Sequence, residues 1–132
     1  MSGIVDVVRK SNDAFNRGDI EGVLALSHPE IEIEDVPELP EAQVFRGHEG
    51  LRALLALNWE PWEAVVVEVQ RLVEVDPETV LLLSKNRWTV KESGVEIVQS
   101  RASIFTVRAG KIVRARFYAN QPEALEAAGI ES

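Results

Sequence analysis

Residues 101–118 read RASIFTVRAGKIVRARFY, and this stretch decides the fold because two strand-like runs flank one turn. Both runs are rich in β-branched and aromatic residues, which are typical of strands. A two-residue turn at Ala109-Gly110 would need a positive φ at Ala109, which alanine disfavours. A three-residue loop needs glycine only at its third position, and Gly110 supplies it. The sequence therefore predicts a hairpin with a three-residue loop.

The length of that loop determines which side chains share a face of the hairpin. With a three-residue loop, Arg101, Ser103 and Phe105 lie on the same face as Phe117. The opposite face carries Tyr118 together with two arginines, so it is the more exposed one. We therefore expect the phenylalanines to point inward, and Arg101 and Ser103 to point inward with them.

The segment Glu92-Ser93-Gly94 has the same pattern and predicts the same loop, which would turn Lys85 and Arg87 inward. The outer face would then mix large apolar groups with polar ones. Its members would be Val80, Leu82, Ser84, Asn86, Trp88, Val90, Ser100, Ile104 and Tyr118. Because monomers rarely expose such a face, we expect a homodimer through the outer sheet face.

The remaining chain is helical in its first part and strand-like in its second. Apolar residues at helical spacing predict a helix that stops at Asn16-Arg17-Gly18, a short helix capped by Asp19, and a third helix after Gly47. From Trp62 onward, long β-branched runs predict four strands, and Asn120 caps a short final helix. Helices followed by an antiparallel meander indicate an α+β fold.

Residues 31–36 alternate as a strand does, so Ile31, Ile33 and Asp35 share a face that should be buried. Arg101 also points inward and needs either a wet cavity or a carboxylate partner, for which Asp35 is the best candidate. Apolar surroundings would raise the pKa of Asp35 and Arg101 would lower it, which suits a general base. The alternative is that Asp35 is a turn residue ahead of Val36-Pro37.

Composition excludes several classes of function. The chain has 132 residues and a net charge of −8, which disfavours nucleic acid as a partner. No apolar run is long enough for a membrane span, no signal peptide is evident, and the absence of cysteine excludes thiolate chemistry. His28 and His48 form no metal-binding pattern, so we expect no metal and no cofactor. A cytoplasmic location is the default expectation.

Several short segments occur in a familiar order along nearly the whole chain. They are 15–19 (FNRGD), 29–33 (PEIEI), 45–51 (FRGHEGL), 110–114 (GKIVR) and 123–129 (EALEAAG). In this respect residues 1–132 resemble a single domain of the SnoaL-like group of the nuclear transport factor 2-like superfamily. The resemblance implies a cone-shaped, mainly antiparallel curved sheet wrapped around three N-terminal helices, with a short C-terminal helix and a deep, mostly apolar cavity.

The same resemblance implies where functional groups lie. The family includes isomerases, polyketide cyclases, epoxide hydrolases, dehydratases and non-catalytic binding modules. The approximate counterparts of its polar cavity positions are Phe15, Asp35, Ser103 and Phe117. Catalytic relatives tend to carry tyrosine, histidine or a carboxylate at several of these places. The phenylalanines and the serine here therefore count against a borrowed ketosteroid isomerase or cyclase mechanism.

The sequence thus leaves three hypotheses. The first is a protein that binds a small apolar or amphipathic molecule in a mostly apolar cavity. Its expected ligand-binding residues are Phe15, Trp59, Trp62, Ser103, Phe105 and Phe117. The alternative is a cofactor-independent isomerase, lyase or epoxide hydrolase in which Asp35 is the general base, assisted by Arg101. The second alternative is a dimerisation module whose cavity is vestigial.

Overall fold

The computed structural model describes residues 3–36 and 43–130, and within these ranges it has the predicted α+β architecture. Its elements are α1 (Gly3–Asn16), α2 (Ile20–Ala25), β1 (Ser27–Val36), β2 (Gln43–Arg46), α3 (Gly47–Trp59), β3 (Trp62–Asp76), β4 (Thr79–Val90), β5 (Glu96–Arg108), β6 (Lys111–Tyr118) and α4 (Gln121–Ala128). The strand β2 has no counterpart among the predicted elements. The prolines at positions 37 and 40 predict a loop at 37–41, and this segment lies outside the described residues.

One mixed sheet carries the fold, with strand order β2-β1-β6-β5-β4-β3. Only the β1–β6 pair is parallel among the described strands, and the other neighbours are antiparallel. The curved sheet is not closed, since β2 and β3 are its edges. None of the described helices is both long and apolar enough to cross a membrane.

The helix ends follow the capping chemistry predicted from the sequence. The Asp19 carboxylate accepts a hydrogen bond from the Gly22 N–H at 2.9 Å and starts α2. The Asn120 side chain accepts one from the Glu123 N–H, also at 2.9 Å, and starts α4. Gly129 ends α4 with φ +72°, a left-handed conformation that glycine adopts without strain.

The two faces of the sheet are covered by different helices. The face that α1, α2 and α3 cover is called the inner face here, and its core is led by Val8, Ile31, Ile33 and Val107, which are almost fully buried. The opposite, outer face is covered in part by α4. Its smaller core consists of Leu81, Leu83, Ala102, Tyr118, Ala124 and Leu125. Tyr118 therefore belongs to the outer face, as predicted.

The first strand starts earlier than predicted, at Ser27 rather than Ile31. Ser27 pairs with Ile112, and the register of the β1–β6 ladder shifts before Glu32. Proline has no N–H to donate to a ladder, so Pro29 fits in this irregular interval. Asp35 lies near the end of the regular part, opposite Phe117, so the prediction of a turn at Asp35 is wrong.

The β5–β6 turn corrects the predicted three-residue loop. Arg108 pairs with Lys111, so the loop is Ala109-Gly110, with φ +50° and +77°. A register shift beside the turn then adds one residue to β6. Beyond this bulge Phe105 lies opposite Ala115, which restores the predicted faces. The length of the turn was predicted wrongly, but the side chains assigned to the inner face are correct. The bulge adds one residue to β6, and this has the same effect on the faces as the one extra residue of the predicted loop.

The β4–β5 loop was also assigned wrongly, with a larger consequence. The Val90 N–H donates to the Val95 carbonyl at 2.8 Å, so the loop is 91–94, one residue longer than predicted. Ser84 consequently pairs with Arg101 and shares the inner face with it. A slip of one residue exchanges the two faces of a strand. The residues that belong to the inner rather than the outer face are Val80, Leu82, Ser84, Asn86 and Trp88.

The same exchange turns Lys85 and Arg87 outward, which removes the predicted buried cations. Lys85 is exposed. Arg87 forms ion pairs with Glu68 at 3.2 Å and with Glu96 at 2.9 Å. These pairs lie on the outer surface, where ion pairs contribute little to stability.

Side-chain amides fasten α1 to the edge strand β3. Asn16 accepts a hydrogen bond from the Val67 N–H at 2.8 Å and donates to the Val67 carbonyl at 2.9 Å. Asn12 donates to the same carbonyl at 3.0 Å. These bonds occupy an edge that would otherwise be open to pairing, and they hold the helix over the inner face.

Candidate functional site

A pocket of about 900 Å³ lies between the inner face of the sheet and helices α1, α2 and α3. Its deepest walls come from buried apolar residues of the helices and of β1, led by Val8, Leu54, Leu55, Ile31 and Ile33. The sheet supplies the remaining wall, because alternate residues of neighbouring strands form rows across the inner face.

The rows change along the pocket from apolar to polar, and a last row is again apolar and contains Trp88. One row joins Ile33, Ala115, Phe105 and Val80, and the next joins Asp35, Phe117, Ser103 and Leu82. Further along come a row of Arg101, Ser84 and Val69, then Gln99, Asn86 and Val67, then Ile97, Trp88 and Val65. Gln99 is exposed, whereas Val80 is fully buried. We call the exposed end, formed by Asn86, Trp88, Gln99 and Arg101, the mouth.

Asp35 lies in the second of these rows and lines the pocket. The alternation of β1 places it two residues after Ile33, on the same inner face. Burial among apolar side chains raises the pKa of its carboxyl, and the positive charge of Arg101 partly opposes that rise. Within the described residues, no hydrogen-bond donor contacts this carboxylate. Asp35 is therefore a carboxylate that holds its proton more tightly than usual and faces open space.

Arg101 lies one row further along than Asp35, within the mouth, and is fixed by three contacts. Its Nη1 donates to the Ala119 carbonyl at 2.7 Å, and its Nη2 donates to the Gln99 side chain. The guanidinium also stacks over the Trp88 ring, 5.7 Å from its centroid. The Gln121 amide donates to the Arg101 carbonyl at 3.3 Å, which holds the backbone at the point where β6 has ended. The side chain is thus preorganised.

Asp35 and Arg101 attract each other without direct contact. The ion pairs of the described residues do not include one between Asp35 and Arg101, so of the two alternatives for Arg101 the direct pairing with Asp35 is not formed. Arg101 bonds instead to the Ala119 carbonyl and the Gln99 side chain, and it lies one row along from Asp35, on a strand that β6 separates from β1. Both groups line the same pocket, which leaves room for a ligand between the carboxylate and the guanidinium.

The aromatic residues expected at the site fall into two groups. Phe15, Phe105 and Phe117 line the pocket, as does Ser103. Phe105 and Phe117 meet edge to face with ring centroids 6.4 Å apart. The two tryptophans lie behind the lining rather than in it. Trp59 packs against Phe15 at 5.1 Å between ring centroids, and Trp62 packs against Trp88 at 6.3 Å.

Sequence reasoning missed most of the mouth. Ser84, Asn86, Trp88 and Gln99 all line the pocket, and the Ser84 hydroxyl donates to the Asn86 side-chain oxygen at 2.8 Å. The misassigned loop at 91–94 put the first three of these on the outer face. The alternation of polar or aromatic residues with Lys85 and Arg87 was a usable signal, because cations belong on the solvent side.

Neither histidine contributes to the pocket lining of the described residues. The His28 ring accepts a hydrogen bond from the Glu30 N–H at 2.9 Å, and His48 bonds to the Ser27 carbonyl at 2.9 Å. In the part of the chain that the structure describes, no three histidine or acidic side chains are grouped as metal ligands. Both histidines brace the backbone around β1.

Solved structures with the same fold are numerous. The chain is similar to a nuclear transport factor 2-like protein of unknown function from Burkholderia pseudomallei K96243, with 21% identity, a TM-score of 0.78, and coverage of 96% of this chain and 97% of that one. It is similar to a putative polyketide cyclase from Xanthomonas campestris pv. campestris, with 20% identity, a TM-score of 0.72, and coverage of 96% of both chains. No curated protein matches it.

A third neighbour is slightly more similar in sequence. It is a Delta 5-3-ketosteroid isomerase from a Mycobacterium species, with 25% identity, a TM-score of 0.76, and coverage of 91% of this chain and 95% of that one. The SnoaL-like domain family matches residues 8–115, which is most of the chain. On this match and on the pocketed α+β architecture, the chain belongs to the SnoaL-like domain family.

Proposed function

We propose that the protein binds a small, mostly apolar or amphipathic organic molecule in this pocket. The observation that carries the proposal is the order of the rows, from the buried apolar end at Val80 and Ile33 to the polar mouth at Asn86 and Gln99. Ligand sites typically combine apolar walls with a few convergent polar groups. The pocket volume of about 900 Å³ is within the usual range for such sites.

A neutral fluorescent probe tests this proposal. N-phenylnaphthylamine should become brighter when it enters an apolar pocket of the wild-type protein. Ser103→Phe places a phenyl ring in the second row, beside Phe117, and should weaken binding at least about tenfold, since it fills the space that the probe needs. Ser93→Phe, in the exposed loop at 91–94, is the matched control and should bind as the wild type does. Equal binding by all three proteins would contradict the proposal.

General-base catalysis by Asp35 is the second candidate function. It is favoured by the position of the carboxylate in the pocket and by the burial that raises its pKa, because a base works best with a pKa near the operating pH. The isomerase and cyclase among the neighbours are analogies at the level of the fold. The reaction would be an isomerisation, elimination or epoxide opening without a cofactor, with Arg101 assisting.

A panel of epoxides and enones tests this second candidate. Turnover by the wild type should fall at least about a hundredfold in Asp35→Asn, because the base supplies a factor of that order. N-phenylnaphthylamine binding should persist in the same variant, which separates lost chemistry from a lost pocket. Turnover that survives Asp35→Asn would exclude Asp35 as the base. Absence of turnover on the whole panel would favour pure binding.

A dimerisation module with a vestigial cavity is the least supported candidate. Val80, Leu82 and Trp88 suggested an apolar outer face, but they belong to the inner one. Tyr118 is covered by α4. A homodimer through the outer face stays a prediction, and light scattering of the purified protein would check it. The cytoplasmic location expected from composition is likewise part of the proposal.

A further inference from the structure

The pocket has one cation and one carboxylate among its described lining residues, namely Arg101 and Asp35. The other described lining residues are apolar or carry uncharged polar groups. A ligand with a formal charge must therefore be recognised by one of these two groups. Which of them is available depends on the contacts that each already makes.

Arg101 has unused donors. A guanidinium has five N–H groups, and the contacts to Ala119 and Gln99 use one from each terminal nitrogen. Within the described residues the other donors have no hydrogen-bond partner, and no carboxylate pairs directly with the charge. The stacking on Trp88 and the two hydrogen bonds hold the fork in one orientation, so a ligand need not order it.

Asp35 does not compete for this charge at contact distance. It faces the pocket one row deeper, and burial favours its protonated form more than in a free aspartate. A protonated carboxyl can donate a hydrogen bond to an oxygen that Arg101 also contacts. A cationic ligand would be repelled by the positive charge of Arg101, which it must pass at the mouth before it reaches Asp35.

We propose that the ligand is an amphipathic organic acid, whose apolar body lies in the closed end of the pocket and whose anionic oxygen group is bound by Arg101. This inference rests on the proposed function and adds the class of ligand to it. Arginine suits the role because its planar fork matches a carboxylate, an enolate or a related anion. The position of Arg101 at the mouth lets the apolar part of such a molecule reach the buried rows.

Two probes of the same shape test the proposal. Anilinonaphthalene sulfonate is N-phenylnaphthylamine with an added sulfonate, so the ratio of their affinities isolates recognition of the anion. In Arg101→Gln we expect the sulfonate probe to bind about tenfold more weakly or worse, while the neutral probe changes by less than about twofold. Arg108→Gln removes an exposed arginine that pairs with Glu78 and is the matched control, with an unchanged ratio.

Decanoate and decanol extend the test to a carboxylate. In the wild type, decanoate should displace the neutral probe at a lower concentration than decanol, and this preference should disappear in Arg101→Gln. Gln99→Ala keeps the charge but loosens the clamp, so it should reduce the preference by a smaller factor. Retention of the preference in Arg101→Gln would overturn the proposal.

The outcomes separate this inference from the proposed function. If Arg101→Gln weakens the sulfonate and neutral probes equally, Arg101 only braces the pocket, and the inference is overturned while binding stands. If neither probe enters the wild-type pocket, and Ser103→Phe changes nothing, both proposals are overturned. A thermal melt of each variant shows that lost binding does not reflect lost folding.

Discussion

The two hairpins that share β5 differ in what covers them. In the β5–β6 hairpin, Ala102 and Val107 are each only 1% exposed, and helices pack on both faces. In the β4–β5 hairpin, every residue from 91 to 100 is exposed. One strand thus belongs to the core at one end and to solvent at the other. The difference teaches that burial, and not strand type, distinguishes the two ends of β5, and that Arg101 of the candidate site lies between them.

The boundary between the two regions is set by the length of β6. Its last residue, Tyr118, pairs with Ala102, and β5 continues beyond this point with β4 as its only described neighbour. Arg101 is the first residue past the boundary. Ala119 and Gln121 hydrogen-bond to Arg101 at the point where β6 no longer pairs with β5. These bonds fix the mouth without burying it. The candidate site therefore lies where the core ends.

The largest expected effect comes from placing one charge in each hairpin. Val107→Asp buries an unpaired carboxylate and should lower the free energy of unfolding by about 4 kcal/mol or more. Val98→Asp, on the same strand at 42% exposure, should change it by less than about 0.5 kcal/mol. Urea denaturation measures both. Similar losses at the two positions would mean that the β4–β5 end is covered in solution.

Amide hydrogen exchange should divide β5 at the same boundary. Peptides from 96–100 should exchange on the order of a hundredfold faster than peptides from 102–107, because local opening of the exposed end does not require global unfolding. Mass spectrometry of the intact folded protein resolves the two segments. Uniform protection along the strand would show that the hairpins open as one unit. Slowing at 96–100 on adding decanoate would link the exposed end to ligand binding.

The fold could be predicted from local sequence patterns. The residues of the mouth could not, because their positions depend on loop lengths. Helix caps such as Asp19 and Asn120 act within a few residues, so sequence patterns predicted them. A loop length instead reflects how two strands twist together, and one residue at 91–94 was enough to exchange the faces of β4. The turn at Ala109-Gly110 was also predicted with the wrong length, but a bulge in β6 restored the predicted faces. No local sequence pattern predicted this bulge.

The site shows the same division between local and long-range information. Asp35 was placed on the inner face by alternation and Arg101 by the predicted register of its hairpin, and both line the pocket. Their separation could not be predicted from alternation, because it depends on the strand order, in which β6 lies between β1 and β5, and on the contacts of Arg101 with Ala119 and Gln99. Trp59 and Trp62 pack against the pocket-lining residues Phe15 and Trp88. The sequence pattern does not distinguish an aromatic residue that lines a pocket from one that packs behind the lining.

Asp35, which pairs with Phe117 of the β5–β6 hairpin, should make the stability of the folded protein depend on pH. Burial raises its pKa above the ordinary 3.8, so the folded protein binds this proton more tightly than the unfolded chain. The stability that Asp35 contributes is therefore full below about 3.8 and is lost as pH rises through the folded-state pKa. Asp35→Asn should consequently unfold at a higher temperature than the wild type near neutral pH, with the difference shrinking toward acid pH.

Arg101→Gln provides the control for that measurement. It removes the positive charge that lowers the pKa of Asp35, so the remaining rise due to burial should become larger. The gain from Asp35→Asn should then be greater in the Arg101→Gln background than in the wild type. Equal gains in both backgrounds would show that the two groups do not interact across the pocket, and would weaken any joint role.

The smallest expected effect concerns backbone strain at the two turns. Ala109 and Glu92 both have positive φ, at +50° and +74°, which disfavours residues with a Cβ. Ala109→Gly should raise the free energy of unfolding by about 0.5 kcal/mol, since relief of strain exceeds the added flexibility of the unfolded chain. Glu92→Gly should gain less, because the exposed β4–β5 end can relieve its strain by opening locally. If urea denaturation shows a gain at Glu92 equal to that at Ala109, the loop at 91–94 is as rigid as the turn at Ala109-Gly110 and does not relieve its strain by opening locally.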